Sequence, residues 1–499
     1  MMNRIAACAA VVLSLLATTS CRPARYKVQE TRLGPCDKSV DLAYIAAFSR
    51  DSSHLAYFLR HGAKVRVVAD GRPDTEYDEI AEGSLTFSPD GGRLAYAART
   101  GSKWFAVVDG QTSVGYDKIG PRHGIHFFAV QFSPDGKRVA YVAQKGEKSL
   151  MVVDGQAGPE YDDVGYQQFS PDSNHVAYAA SKGQKWTVVE DGQPGAEYDG
   201  IGFGYMVTFS NDGKHLAYTA RKDKKVIAVV DGRPAVEYDE ILYDDLTFSP
   251  DSKHITYAAK KDGKWFVVVD GQPGLEYDKV SVPVFSTDGK RMAYVADKGG
   301  KSRLVMDGKP GAEYNHVDRP FFSPDGERFA YAATRGTKSF AVVDNRADTE
   351  YDKVAVLAPF SPDSKHVAYV AKKGEKWTAV VDGIPSVEYD QINFAPTFSP
   401  DSKRIAYEVK SGEKWFEVVD GKVSAECSYD LGPAFSQDSR HIMYLDDKGA
   451  KCSLVLDGQP GAEYDKILVA DCAFGRDDNV EFLGISENSL YRVKYIPAP

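Results

Sequence analysis

Ten histidines, six cysteines and five tryptophans are the residues of this 499-residue chain best suited to chemistry, and their spacing limits what they can do. His123 and His126 stand three apart in a run with Arg122, Phe127 and Phe128. Two imidazoles alone make a poor metal site, so an exposed aromatic and basic loop that touches a partner is the stronger expectation. Six other histidines (His54, His175, His215, His254, His366 and His441) share one recurring slot, which Arg93, Arg138, Arg291, Arg328 and Arg404 fill elsewhere. A slot that accepts either residue wants a polar, often cationic group beside a turn, not a metal ligand. Trp104, Trp186, Trp265, Trp377 and Trp415 also share a slot, and packing is their expected role. No Gly-x-Ser-x-Gly elbow, phosphate-binding glycine loop or His-Glu-x-x-His occurs. No residue is therefore assigned to catalysis, metal or cofactor, and no cofactor is expected.

The elements that carry these slots repeat. Phe-Ser, usually followed by Pro-Asp, begins at Phe48 and returns at spacings of 37 to 45 residues up to Phe435, with a worn twelfth copy at Phe474. The first eleven copies continue, roughly, through a strand ending Ala-Tyr, then Val-Val-Asp-Gly, then Glu-Tyr-Asp. In the copy at Phe248, His254–Ala259 and Trp265–Val269 read as strands around an Asp262-Gly263 hairpin. Glu276–Val280 reads as an outer strand, and Val282–Phe285 as the start of the next unit near an axis. A period of about 38 residues with four short strands is the signature of an all-β, β-propeller fold, one blade per repeat. Twelve blades exceed the usual ring of about four to eight. Two six-bladed rings are therefore expected, residues 41–281 and 282–499, with one large ring as the alternative. Twenty-two of the 29 tyrosines occupy the Ala-Tyr and Glu-Tyr-Asp slots and should form the core between blades.

The longest spacing, 45 residues from Phe87 to Phe132, comes from an extra loop at Gly120–Phe128 that carries the two histidines. Segments just before each Phe-Ser vary from blade to blade and should lie near the axial channel. Asp244 and Asp245 with Glu82 are candidates for an acidic patch at its mouth.

Residues 1–21 differ from the rest. A positive start and the apolar run Ile5–Ala17 form a signal-peptide core too short to span a bilayer. Thr18-Thr19-Ser20-Cys21 resembles a bacterial lipobox, so Cys21 is the expected lipidation site and the only membrane attachment; residues 22–40 form an N-terminal segment. Cleavage to a soluble secreted protein is the alternative. Once Cys8 leaves with the leader, Cys36, Cys427, Cys452 and Cys472 remain, an even number suited to two disulfides. Cys36 with Cys472 would close the first strand onto the last blade, and Cys427 with Cys452 would be a local staple. The net charge of −10 argues against a nucleic-acid partner.

The run Phe132-Ser-Pro-Asp-Gly-Lys-Arg-Val-Ala-Tyr141 resembles the WD-repeat-like propeller units of the TolB type, and the likeness extends over about residues 40–495. The resemblance implies a propeller, a bacterial envelope or exported setting and action through protein contacts. The N-terminal α/β domain of TolB has no counterpart in this reading, and Val-Val-Asp-Gly and Glu-Tyr-Asp are more regular here. A non-enzymatic, envelope-associated scaffold for another protein is the expected function. A channel-sited hydrolase or lyase, or a glycan-binding propeller, is the alternative. Non-reducing peptide mapping of the exported chain should recover two disulfides among the four cysteines; four free thiols would overturn that expectation.

Overall fold

The computed structural model describes residues 26–35, 46–50, 53–121, 130–202, 207–393, 395–427, 432–447, 449, 451–469, 474–475 and 478–497. These form twelve antiparallel sheets, one per repeat and each four strands wide, the first strand often broken into two pieces. In blade 6 the pieces Glu240–Ile241 and Thr247–Phe248 both pair with the second strand, Ile255–Lys261. Lys264–Val269 and Gln272–Pro273 follow, and Tyr277 extends the fourth strand by bridging to Trp265. Lys279–Val280 then pairs with Asp297 and Ala296 of blade 7. Glu276–Val280 is thus not one outer strand. It carries the chain from the edge of one blade to the first strand of the next, because the hydrogen-bonding partner changes within three residues.

Alternation along the two middle strands buries both faces of each sheet. Tyr57, Tyr96 and their counterparts are almost fully buried, and in six seams this tyrosine meets the Glu-Tyr-Asp tyrosine of the preceding blade edge-on. Tyr77 and Tyr96 have ring centroids 6.1 Å apart at 78°, and Tyr277 and Tyr294 repeat this at 6.4 Å. The five tryptophans are half-buried in the same seams.

The sheets close as one ring. Ala258, Val267 and Tyr277 of blade 6 pack on Tyr294, Ala296 and Val305 of blade 7. Leu55, Tyr57 and Val68 of blade 1 pack on Leu483, Ile485 and Leu490 of blade 12. Two six-bladed rings would need blade 6 against blade 1, so the division at residue 281 falls within a continuous seam, and the single large ring is the observed solution. Blade 12 takes its first three strands from Lys466–Val469, Val480–Ser486 and Ser489–Pro497, and its fourth from Tyr26–Pro35. Tyr464 donates to Glu30 at 2.7 Å, fastening that strand to blade 11.

Two sets of polar clips brace the ring, one inside each blade that its slot arginines extend to the next, and one between neighbours. On one side, the Val-Val-Asp-Gly aspartate adopts the left-handed conformation of a type I′ turn, φ 49° at Asp270 followed by 76° at Gly271. Its carboxylate accepts the Ile255 N–H at 2.9 Å and the His254 imidazole at 2.7 Å. In blade 2 the same aspartate holds Arg93, whose guanidinium lies over Phe132 of blade 3 and donates to the Lys137 carbonyl at 2.7 Å. On the other side, the Glu-Tyr-Asp aspartate accepts the preceding blade's lysine and a hairpin N–H of the next. Asp117 does so with Lys103 at 2.6 Å and Gly146 at 2.7 Å.

Within each Phe-Ser-Pro-Asp turn the buried serine donates to the aspartate and accepts a backbone N–H five residues on, as Ser249 does with Asp251 and His254. Ser249→Ala leaves that N–H without its side-chain acceptor. It should lower unfolding free energy by about 1–3 kcal/mol in urea melts, whereas Ser→Ala at an exposed loop position should not.

Candidate interaction site at blades 1 to 3

The extra loop grows from the first strand of blade 3. Lys118–Ile119 pairs with Gln144 and Ala143, and the Gly120 N–H bonds the Val142 carbonyl at 2.8 Å. The Gln144 side-chain amide donates to the Gly120 carbonyl at 3.0 Å. The chain resumes with Val130, fully buried, and Gln131–Phe132 pairs again with the same second strand. Arg122, His123, His126, Phe127 and Phe128 themselves lie outside the described residues, but both ends of their segment are fixed to blade 3.

Beside the loop's base is a cavity of about 660 Å³. It runs across three blades, with Phe58 and Arg60 of blade 1, Glu79, Glu82 and Trp104 of blade 2, and Lys118 of blade 3 among its walls. Asp78 and Asp117 also line it. The Lys64 ammonium, then the Gly101 N–H, hold the Asp78 carboxyl below its ordinary range. The Gly146 N–H, then Lys103, do the same for Asp117. Arg99 engages Glu79 at 2.7 Å, whereas Glu82 is exposed. The walls therefore combine an indole and apolar stems with ionised groups of both signs. Such a surface suits an extended polypeptide segment with apolar and charged side chains.

The other sequence candidates fall elsewhere. All six slot histidines contact the Val-Val-Asp-Gly aspartate of their own blade through Nδ1 at 2.6–2.8 Å. Asp245 lies in blade 6 and Glu82 in blade 2, four blades apart in the ring; the Asp244 side chain lies outside the described residues. Burial raises the Asp245 carboxyl, and Arg319, from the first strand of blade 8, pulls it back. Tyr243 next to it is 80% exposed with φ 55°, an unusual backbone for an aromatic residue.

Cys21, Cys36, Cys472 and the Cys427 side chain lie outside the described residues. The Cys452 thiol donates to the Tyr464 carbonyl at 3.6 Å. Among the described residues, no three histidine, cysteine or carboxylate groups gather as they would around a metal ion.

Sequence reasoning missed Glu408 and Glu417, two fully buried carboxylates in blade 10. The signal was present: the slot of Glu417 holds Val67, Ala106, Met151 and other apolar residues in the remaining full repeats. It was hidden because attention to recurring residues passes over a single exception.

No protein-family model matches the chain, and no curated protein matches it. Among solved structures it is similar to a eukaryotic initiation factor at 14% identity, TM-score 0.33, covering 67% of this chain and 97% of that one. It is also similar to TolB from Acinetobacter baumannii at 13% identity, TM-score 0.24, covering 58% and 78%. A β-propeller domain from Myceliophteria thermophila is similar at 12% identity, TM-score 0.24, covering 56% and 99%. These likenesses concern the fold. The twelve sheets themselves make the chain a β-propeller.

The Asp191 hydrogen bond raises the His175 imidazole above its ordinary value. The charged clip is then complete below about pH 6.5 and is lost as pH rises through the raised value. His175→Arg should remove this share of the pH dependence. Because the pair is exposed, thermal melts between pH 6 and 9 should register an effect below about 1 kcal/mol.

Proposed function

We propose that the chain is an exported, envelope-associated scaffold that binds another protein at the cavity of blades 1 to 3. The observation that carries this reading is the coincidence of two features. The cavity opens beside the one segment that lengthens the repeat to 45 residues, and that segment carries Arg122, His123, His126, Phe127 and Phe128. A repeat that is extended without disturbing its blade is what a rigid frame presenting a contact loop needs. The recurring histidines, aspartates and lysines support the ring itself, which leaves the non-recurring residues to confer specificity. Export rests on the leader at residues 1–21, and attachment to the membrane on acylation at Cys21.

The test is cross-linking capture from native envelopes with wild type, a Gly120–Phe128 deletion and Glu82→Lys. The expected result is one dominant protein partner in wild type, lost with the deletion and reduced several-fold by the charge reversal. A partner retained at wild-type levels by both variants would refute this contact face. Capture of no protein by wild type would turn the assignment toward a small ligand or a glycan.

A further inference from the structure

Eleven of the seams around the ring are closed by apolar side chains, and the seam between blades 10 and 11 departs from them. In the preceding seam Val370 and Ala379 of blade 9 pack with Tyr389, Tyr407, Val409 and Val418. One blade on, the counterparts of Val370 and Ala379 are Glu408 and Glu417, and Asp446 replaces Val409. Cys427 takes the tyrosine position, pairing with Trp415 as Tyr389 pairs with Trp377. The apolar cluster among the described residues shrinks to Tyr444, Val455 and the partly buried Trp415.

Glu408 and Glu417 are direct partners on adjacent strands, where side chains on one face stand about 5 Å apart. Both have no exposed surface. The Asn393 amide donates to Glu408 at 2.5 Å, and neither carboxylate oxygen of Glu417 has a hydrogen-bond partner. The titratable or polar groups that alternation turns toward Glu417 are Glu408 from its own blade and Tyr444, Asp446 and Ser453 from blade 11. The Cys427 side chain lies outside the described residues. None of these groups is a base that could neutralise a second carboxylate. Two ionised carboxylates at this distance in a water-poor seam repel strongly, and each also loses its hydration.

We propose that the seam between blades 10 and 11 is a proton-dependent latch, closed while the Glu408–Glu417 pair retains a proton and loosened when both carboxyls ionise. Desolvation, then the neighbouring Glu408 charge, pushes the Glu417 carboxyl up to about 8. This value marks where Glu417, beside the Glu408 carboxylate, gives up its proton. The sign follows from linkage. The unfolded carboxyl loses its proton near pH 4.3, so stability from this site falls as pH rises from there toward 8. The ring then has one seam that weakens in mildly alkaline conditions while the apolar seams stay closed.

Hydrogen exchange on the intact chain at pH 6, 7.5 and 9, corrected for intrinsic rates, tests this directly. Strands Ile405–Ser411 and Lys414–Val419 should lose protection by tenfold or more across that range, relative to Ala368–Lys373 and Lys376–Val381 of blade 9. Glu417→Gln, which cannot ionise, should keep blade 10 protected at pH 9, and Glu408→Gln provides a second variant should the first not fold. Parallel loss in blades 9 and 10, or unchanged pH dependence in a folded variant, would overturn the latch. Restoration of wild-type protection at pH 9 by millimolar calcium or magnesium would also overturn it, and make the pair a cation site instead.

Discussion

A blade that is apolar on both faces cannot stand at the end of a row. The sheets bury aromatic rings toward one neighbour and, blade 10 apart, small or branched apolar side chains toward the other, so an uncovered blade would leave a core face in water. A closed circle is the arrangement that satisfies all twelve at once. The rest follows from that requirement. The tyrosine pairs, the slot arginines and the Glu-Tyr-Asp aspartate clips act between neighbours, and the strand Tyr26–Pro35 completes the blade where the circle meets itself.

The clips divide the work in a physically sensible way. Apolar contact is strong but poorly directional, so it holds blades together without fixing their angle. Hydrogen bonds from a backbone N–H to an aspartate, and from an arginine to the carbonyls of the next turn, have narrow geometry and set the orientation of each blade on the next. Solvent-exposed ion pairs such as Lys103 with Asp117 add little free energy individually, but their carboxylates also accept backbone N–H groups. Registration is their main contribution.

Much of this was legible in the sequence because repetition acts as an internal control. The exchange of histidine for arginine in one slot indicated a polar group beside a turn, and Asp270 with His254 shows what that group does. The spacing of Tyr257 and Tyr277 placed both in the core. Ring size was not legible, because the angle between adjacent blades is the sum of many small side-chain volumes in the seams and no single motif encodes it. The strand boundary at Tyr277–Val280 was not legible because the Glu-Tyr-Asp unit looks continuous while its backbone changes partners midway. At the candidate site, the 45-residue spacing located the loop, but the cavity depends on Phe58, Glu82 and Lys118, which come from three different repeats. Glu408 and Glu417 read as ordinary charges in strands until the register placed them opposite each other in the interior.

The closing strand also has a bearing on how the ring would sit in a cell. Tyr26 lies directly opposite Pro497 on the outer edge of blade 12, and Cys21 precedes it by five residues. Five extended residues span at most about 18 Å. An acyl chain on Cys21 would therefore hold blade 12 close to the bilayer, suspending the circle by one point on its circumference. Blades 1 to 3 would then lie within a quarter turn of the attachment, and blade 6 would point furthest into the aqueous space.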